Sequence, residues 1–582
     1  MTAAHLALVP LPGEGGADRW QVAPLAEDGA PIGPPTTVST SGLSTLEADR
    51  PRWLLDSTAR SYPVLLAAGV SIERCHDVTL TERILLGRVA RFGQPVSAAA
   101  VYARARGLPV PADPPPDTGG GQPGLFDPRA TAPTGLDPIE TLAVAWSDQR
   151  ARIGADNALK LLVAAESASG LAAVEMGFNG LPWDVQEHHR LLTDLLGPRP
   201  PAGSRPATLA ALADRISAAF GFGVNPDSVT DLRTAFRRAG FDIESTRSWV
   251  LKGVDHPAVA AVIEYKELAR LYTANGWNWI DDWVTGGRLH SEFIPGGVVS
   301  GRWATRGGGG LQIPRAVRGA ARARPGHRLV VADAAQLEPR VLAAVSGDTA
   351  LQQISAEGDL YDALAADGFG GNRGQAKLAM LGAMYGQTSG EAGRLLVTLR
   401  SKYPAAMGWV ESAARRGEAG GVVRSVLGRT SPPPSEAWRL VVAGGAGNPD
   451  GAGTDGAGGV DGGSEGAGDS AGGSGPTGDR RAREYARSWG RFTRNFVIQA
   501  SAADWASVWL SCLRRELRAV PGAELVFFQH DELVVHTPTD TAELVADLAR
   551  RTADLAGELV FPGSAVSTPV RPMIVGSYAE AK

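Results

Sequence analysis

Along residues 327 to 348, HRLVVADAAQLEPRVLAAVSGD, the hydrophobic pattern changes period once. Leu329, Val330, Val331 and Ala332 form a short unbroken apolar run, which predicts a buried strand, and Leu337, Val341, Ala344 and Val345 then recur at helical spacing. Asp333 stands at the junction, so the strand delivers a carboxylate at its C-terminal end. On this stretch alone, an Asp ahead of a helical pattern reads best as an N-cap. Two further apolar runs, Leu525 to Phe528 and Leu533 to Val535, flank His530, Asp531 and Glu532. That is the pattern of a tight hairpin or of adjacent strand ends. The segment lacks the Gly that usually supplies positive φ, so turn chemistry is a poor account of it. In GNRGQAKLAMLGAMYGQTSG, residues 370 to 389, Arg373, Lys377, Leu381 and Tyr385 recur every four residues and predict one drifting stripe on a helix. Residues 155 to 175 read as helix, and residues 206 to 273 alternate helical patterns with turns such as GVNPDS.

A length of 582 residues predicts several domains, and a hydrophobic fraction of 43% is that of ordinary globular protein. No apolar run reads as long enough to cross a bilayer, and the first 30 residues do not resemble a secretion signal, so a soluble, cytoplasmic protein without a membrane partner is expected. Cys75 and Cys512 have no metal-ligand spacing and are expected to be reduced and buried.

The net charge of −5 argues against a nucleic-acid binder until its distribution is considered. Residues 443 to 479 carry six acids and no base, and without them the charge would be +1. This Gly-rich stretch is predicted to be a disordered loop. Residues 302 to 332 hold seven Arg and no acid, which reads as a phosphate-binding surface. Residues 107 to 138 are rich in Pro and Gly and predict an extended linker behind an N-terminal domain.

An acidic pair between apolar strands costs desolvation unless something cationic meets it, and a divalent metal would do so. Arg373 and Lys377 lie in the first turns of their helix, where the macrodipole disfavours cations, so an anionic ligand would explain them. The alternative is a solvated basic face with Leu381 and Tyr385 packed in the core. Together the segments suggest nucleotidyl transfer. Two carboxylates would hold two Mg²⁺ ions, with Mn²⁺ as an alternative, while Arg373 and Lys377 hold a triphosphate and Tyr385 stacks near a base.

These residues resemble the bacterial DNA polymerase I family, the family A polymerases. DAAQLEPRVLAAVSGD is similar to its first metal motif, RGQAKLAMLGAMYG to its fingers helix RxxxKxxxFGxxYG, and QHDEL to its second metal motif VHDEL. SGRWAT, LQIP, EYKELARL, GGRLHSEF, GVVRSVLGR and RFTRNFVIQASAAD match in order, and the resemblance covers about residues 206 to 582. It implies a multidomain fold of α+β and α/β class, a right-hand polymerase of palm, fingers and thumb preceded by a ribonuclease H-like exonuclease-type domain. The implied division is an exonuclease-like domain at 1–106 with about 139–160, a linker at 107–138, connecting helices at 161–205 and thumb at 206–285. Palm would occupy 286–345 and 487–582, with fingers at 346–486.

The implied activity is template-directed DNA synthesis on primer–template DNA from dNTPs in replication or repair. Asp333 and Asp531 would be the metal ligands, with Glu532 a supporting acid. Glu338 falls at the sugar-gate position. Arg373 and Lys377 match the triphosphate-binding pair, Tyr385 a neighbour of the templating pair, and His530 a contact to the primer end. Arg302, Gln336, Arg340, Arg491, Asn495 and Gln499 match positions that touch DNA or support the nascent pair. Departures include Leu381 for the usual Phe, Pro339 for Leu, Ala500 for Gly, and the shortened LQIP.

The N-terminal segment matches only one exonuclease motif, with Asp77 at a metal-ligand position; the Asp-x-Glu and Tyr motifs are missing, which implies an inactive relic. A proofreading exonuclease and a catalytically silent DNA-binding scaffold are the competing readings. Gln122, Leu125 and Phe126 match the pattern by which bacterial polymerases dock into a sliding clamp.

Overall fold

The computed structural model describes residues 5–11, 19–115, 135–306, 313–356, 358–386, 390–442 and 477–581. Gln122, Leu125 and Phe126 lie outside them, as does nearly all of the Gly-rich stretch.

The N-terminal domain is built on a five-stranded sheet in the order Thr36–Ser39, Arg19–Leu25, His5–Pro10, Arg52–Leu55, Arg74–Asp77. The first three strands pair antiparallel, and the last two join them in parallel. A meander followed by parallel crossovers is the ribonuclease H-like order expected from the sequence. Because strand side chains alternate, the sheet is apolar on both faces. Leu6, Leu8, Trp53 and Leu55 face the helix Thr58–Ala67 and Leu171, whereas Ala7, Ala23 and Leu54 pack against Ile139, Leu142 and Trp146 of Pro138–Ile153.

The helix Asn157–Asn179 runs through the expected boundary between residues 160 and 161 and serves both sides of it. Ser167 Oγ accepts from the Asp77 backbone N–H at 3.1 Å, while the Ala165 carbonyl accepts from Ser511 Oγ at 3.3 Å. Near its end Glu175 accepts from Tyr62 Oη and from Arg514, whose guanidinium also reaches the carbonyls of Ile72 and Glu73. Such a buried, multiply bonded pair fixes the N-terminal domain against the rest of the chain.

The segments expected to form the palm make a four-stranded sheet in the order Glu524–Gln529, Glu532–Pro538, His327–Ala334, Val570–Val575, antiparallel throughout. The segment expected to be thumb contains the helices Ala207–Phe220, Val229–Arg238 and Ala258–Asn275, with GVNPDS forming the predicted turn and Ser228 capping the second of them. Five helices between Thr349 and Glu418 surround a separate core. The helix Thr477–Leu517 belongs to both bodies: Phe496, Val497, Ile498 and Ala500 lie in the fingers core, and Ala502 to Leu517 in the palm core. The expected division at residue 487 therefore falls inside one helix, several turns before its packing changes.

Contrary to the sequence expectation, two helices, Asn157–Asn179 and Arg480–Leu517, are long and apolar enough to cross a membrane. Both are largely buried inside the protein, where a core helix needs the same composition. The N-terminal part of the expected linker is docked rather than extended, since the Asp113 carboxylate accepts from the backbone N–H groups of Val96 and Ser97 at 2.8 to 2.9 Å.

Candidate active site

Asp333 lies one residue from the end of the central strand His327–Ala334, in register with Glu532 on one side and Arg571 on the other. It is not the cap that its local sequence suggests. The helix begins at Leu337, and its N-cap is Gln336, held at φ 55° in the left-handed region. The Gln336 side chain reaches across to accept from Leu360 N–H at 2.9 Å. Pro339 occupies the third helical position, where its missing N–H costs nothing.

The second acid arrives on a two-residue hairpin, Gln529 pairing with Glu532 around His530 and Asp531. The sequence argued against such a turn for want of Gly. The structure makes it with His530 at φ 58°, a conformation that non-glycine residues adopt uncommonly and His more readily than most. The Asp531 carbonyl accepts from Ala334 N–H at 2.9 Å, which ties the hairpin tip to the end of the Asp333 strand. Burial, and next the charge of Asp333, push the Asp531 carboxyl up to about 6. Glu532 is buried and accepts from Tyr578 Oη. Burial, then Arg302, push His530 down to about 4, so its ring is neutral at physiological pH.

Glu338 faces the same pocket as Arg302, Phe528, His530 and Asp531. Its carboxylate accepts from Arg302 and from Tyr385 Oη, the latter at 2.5 Å. Burial and Glu338 together push the Tyr385 phenol up. The structure thus joins residues spaced across the sequence at 302, 338 and 385 in one hydrogen-bonded group.

The helix Arg373–Tyr385 presents the predicted stripe. Arg373 is its first residue, and the anions that meet it are internal: Asp359 at 3.0 Å and Asp362 at 3.3 Å, with the Tyr361 ring beneath the guanidinium at 5.5 Å. An external anion is therefore not required to explain Arg373. Lys377 is exposed one turn later, and Leu381 packs against the fingers core. The helix ends at Gly386, φ 73°, where an added Cβ would lie 2.9 Å from Arg491 Cγ.

Arg491, Asn495 and Gln499 share one face of Thr477–Leu517, with Arg491 exposed and the others half-buried. Arg340 is placed differently from the expectation of a DNA contact. It is fully buried, and its guanidinium donates to the carbonyls of Ala335, Ser355, Gly358 and Ser567, so it ties the palm helix to neighbouring loops. The seven Arg of 302 to 332 are likewise not a single surface: Arg302 is in the site, Arg306 pairs with Glu292, and Arg318 lies over the Tyr578 ring.

Sequence reasoning missed Tyr578 and Arg494, whose buried guanidinium donates to the Ala383 carbonyl; neither carries a local pattern. Asp359 was detectable as the N-cap of Leu360–Gly368, though its pairing with Arg373 was not.

Two acidic oxygen donors brought together, with the Asp531 carboxyl raised by burial and by the charge of Asp333, suit a hard divalent cation. Among the described residues no group of three or more His, Cys, Asp or Glu is placed to hold a metal.

In Asp77 the exonuclease match meets a different environment. Asp77 is buried, accepts from Thr58 N–H and Oγ1 at 2.7 Å each and from Leu80 N–H at 2.8 Å, and caps the helix Val78–Arg88. The central strand of that sheet, HLALVP, bears no acid.

A palm sheet whose adjoining strand ends converge two acids, faced by a basic helix, is the architecture of a nucleotidyl-transfer fold. The structure superposes on one titled as the POL domain of Pol1 from M. smegmatis in complex with DNA primer-template and dNTP, with TM-score 0.68 and 17% identity over 99% of this chain and 95% of the other. The family model for DNA polymerase family A matches residues 206–566, and the chain belongs to that family. Its members are metal-dependent. Relatives include the thermostable DNA polymerase I of Thermus filiformis, 26% identical over 53% of this chain and 35% of its own length. Another is the DNA polymerase I of Deinococcus radiodurans, 26% identical over 53% of this chain and 30% of its own. The chain thus aligns with about a third of the length of these relatives.

Proposed function

We propose that the chain is a template-directed DNA polymerase that adds dNTPs to a primer 3′-OH. The observation that carries this is the meeting of Asp333 and Asp531 at adjoining strand ends, with the Asp531 carboxyl pushed up by burial and by its neighbour. Asp333 and Asp531 would hold divalent cations, Mg²⁺ or Mn²⁺, which when bound activate the attacking hydroxyl and neutralise charge on the departing pyrophosphate. The chain's own residues supply position. Lys377, exposed on its helix, meets the triphosphate, and Arg373 joins it by exchanging its bonds to Asp359 and Asp362 for phosphate oxygens. Glu338 crowds the incoming sugar, held in place by Arg302 and Tyr385. Neutral His530 meets the primer end, and Gln336, Arg491, Asn495 and Gln499 support the nascent pair and the template. Arg340 acts through the palm's rigidity.

A primer-extension assay with all four dNTPs tests the reading. Mg²⁺-dependent, template-matched extension is expected, and duplex binding without extension would favour the silent scaffold instead. The N-terminal domain we read as an inactive exonuclease relic because Asp77 is engaged as a cap and the central strand has no acid. Metal-dependent shortening of a mismatched primer would reverse that reading. The location proposed is the bacterial cytoplasm, at the nucleoid. Docking of Gln122, Leu125 and Phe126 into a sliding clamp remains a proposal from sequence, tested by binding of a peptide spanning residues 119 to 130.

A further inference from the structure

The parallel strands of the N-terminal sheet begin with a row of basic residues. His5, whose ring burial and the neighbouring Arg52 hold toward its neutral form, is in register with Arg52, and Arg52 with Arg74, so two guanidinium side chains stand beside one another on neighbouring strands. Such placement is unfavourable unless an anion is shared. The row lies at the end of the sheet opposite Asp77, away from the expected exonuclease position. Beside it opens a cleft of about 760 Å³, within the range of small-ligand sites, whose lining includes His5, Arg52, Trp146, Arg150 and Lys160. Two acids also line it, and both are committed: Glu27 pairs with Arg150 at 2.6 Å, and Asp28 accepts from Ala30 N–H at 2.9 Å. Arg52 donates to the Cys75 carbonyl at 3.3 Å, and among the described residues neither it nor Lys160 has a carboxylate partner. The His5 and His76 rings pack on Trp146 at 5.0 and 4.8 Å, forming an aromatic wall. Burial, then the charge of Arg74, lower the Arg52 guanidinium, and an anion arriving here would oppose the second of these.

We propose that this cleft binds a phosphate-bearing ligand of nucleotide size, with Arg52 and Lys160 on the phosphate and the aromatic wall beside the base. The phosphate could belong to a free nucleotide or to the 5′ end of a nucleic-acid strand. Titrating the full-length protein by calorimetry with deoxyadenosine 5′-monophosphate, and separately with a 5′-phosphorylated and a 5′-hydroxyl octathymidylate, distinguishes the two. Lys160→Glu, an exposed change, should weaken the responsible probe by about tenfold or more, and Arg52→Gln should do the same if it folds. Lys377→Ala should leave that binding intact, and Lys160→Glu should leave primer extension intact, which separates this site from the polymerase centre. A response from the monophosphate assigns a free nucleotide, and one that needs the 5′-phosphate on the oligonucleotide assigns a strand end. Affinities unchanged by Lys160→Glu for every probe, or lost only with Lys377→Ala, would overturn the proposal.

Discussion

Asp77 ends the strand Arg74–Asp77 in the N-terminal sheet, and Asp333 lies next to the end of His327–Ala334 in the palm. Both sit where a strand hands over to a helix, and both matched a metal-ligand position by resemblance. Asp77 is enclosed by donors from its own domain: the Thr58 N–H and hydroxyl and the Leu80 N–H occupy its two oxygens, and the following helix starts at the next residue. Asp333 is followed by three residues before its helix begins, and Gln336, not Asp333, stands at the N-cap position. The intervening turn lets a hairpin from 200 residues further along bring Asp531 to the same point. An acid at a strand end thus becomes a cap or a site according to whether local N–H groups or a second acid arrive first.

The largest effect expected from this contrast is on synthesis. Asp333→Ala or Asp531→Ala should lower primer extension by about a thousandfold or more while leaving duplex affinity within a few-fold, because on the proposed function each removes a metal ligand and not the basic surface. Asp77→Ala should leave extension unchanged, and comparable losses in all three variants would erase the distinction.

Glu338→Ala should raise ribonucleotide incorporation by about ten- to a hundredfold, read from single-nucleotide insertion of rNTP against dNTP. Unaltered sugar selectivity would mean that Glu338 serves only to hold Arg302 and Tyr385.

Asp77→Ala should instead cost about 2 to 4 kcal/mol of N-terminal domain stability, since two backbone donors and a hydroxyl lose their acceptor. Denaturant melts followed by N-terminal tryptophan fluorescence measure it. The cost should depend on pH in a defined sense. Burial pushes the Asp77 carboxyl from 3.8 up to about 6, so the folded state holds its proton more tightly than the unfolded state. Its contribution is full below 3.8 and falls as pH rises through about 6, by at most about 3 kcal/mol. The gap between wild type and Asp77→Ala should therefore narrow between pH 4 and pH 7; a widening gap would show that hydrogen bonding to the ionised form dominates.

The smallest effect should come from deleting residues 443 to 479, a stretch that includes neither acid. Extension is expected to change by less than about twofold, and a larger loss would assign that stretch a contact with DNA.

Much of this chain could be read before folding. Runs of apolar residues marked the palm strands, a four-residue recurrence marked Arg373–Tyr385, and motif order pointed to Asp333 and Asp531, because periodicity and short-range spacing are properties of the chain itself. Tertiary structure decided what those side chains meet. Arg340 and Arg302 look equally cationic in sequence, yet one is sealed among four carbonyls and the other faces the pocket. Arg373 looked like an anion receptor and proved to be held by Asp359 and Asp362. His530 takes a backbone conformation that its neighbours in sequence do not advertise. Each outcome depends on partners tens to hundreds of residues away, and burial and electrostatics act through space, where the order of residues along the chain carries no distance.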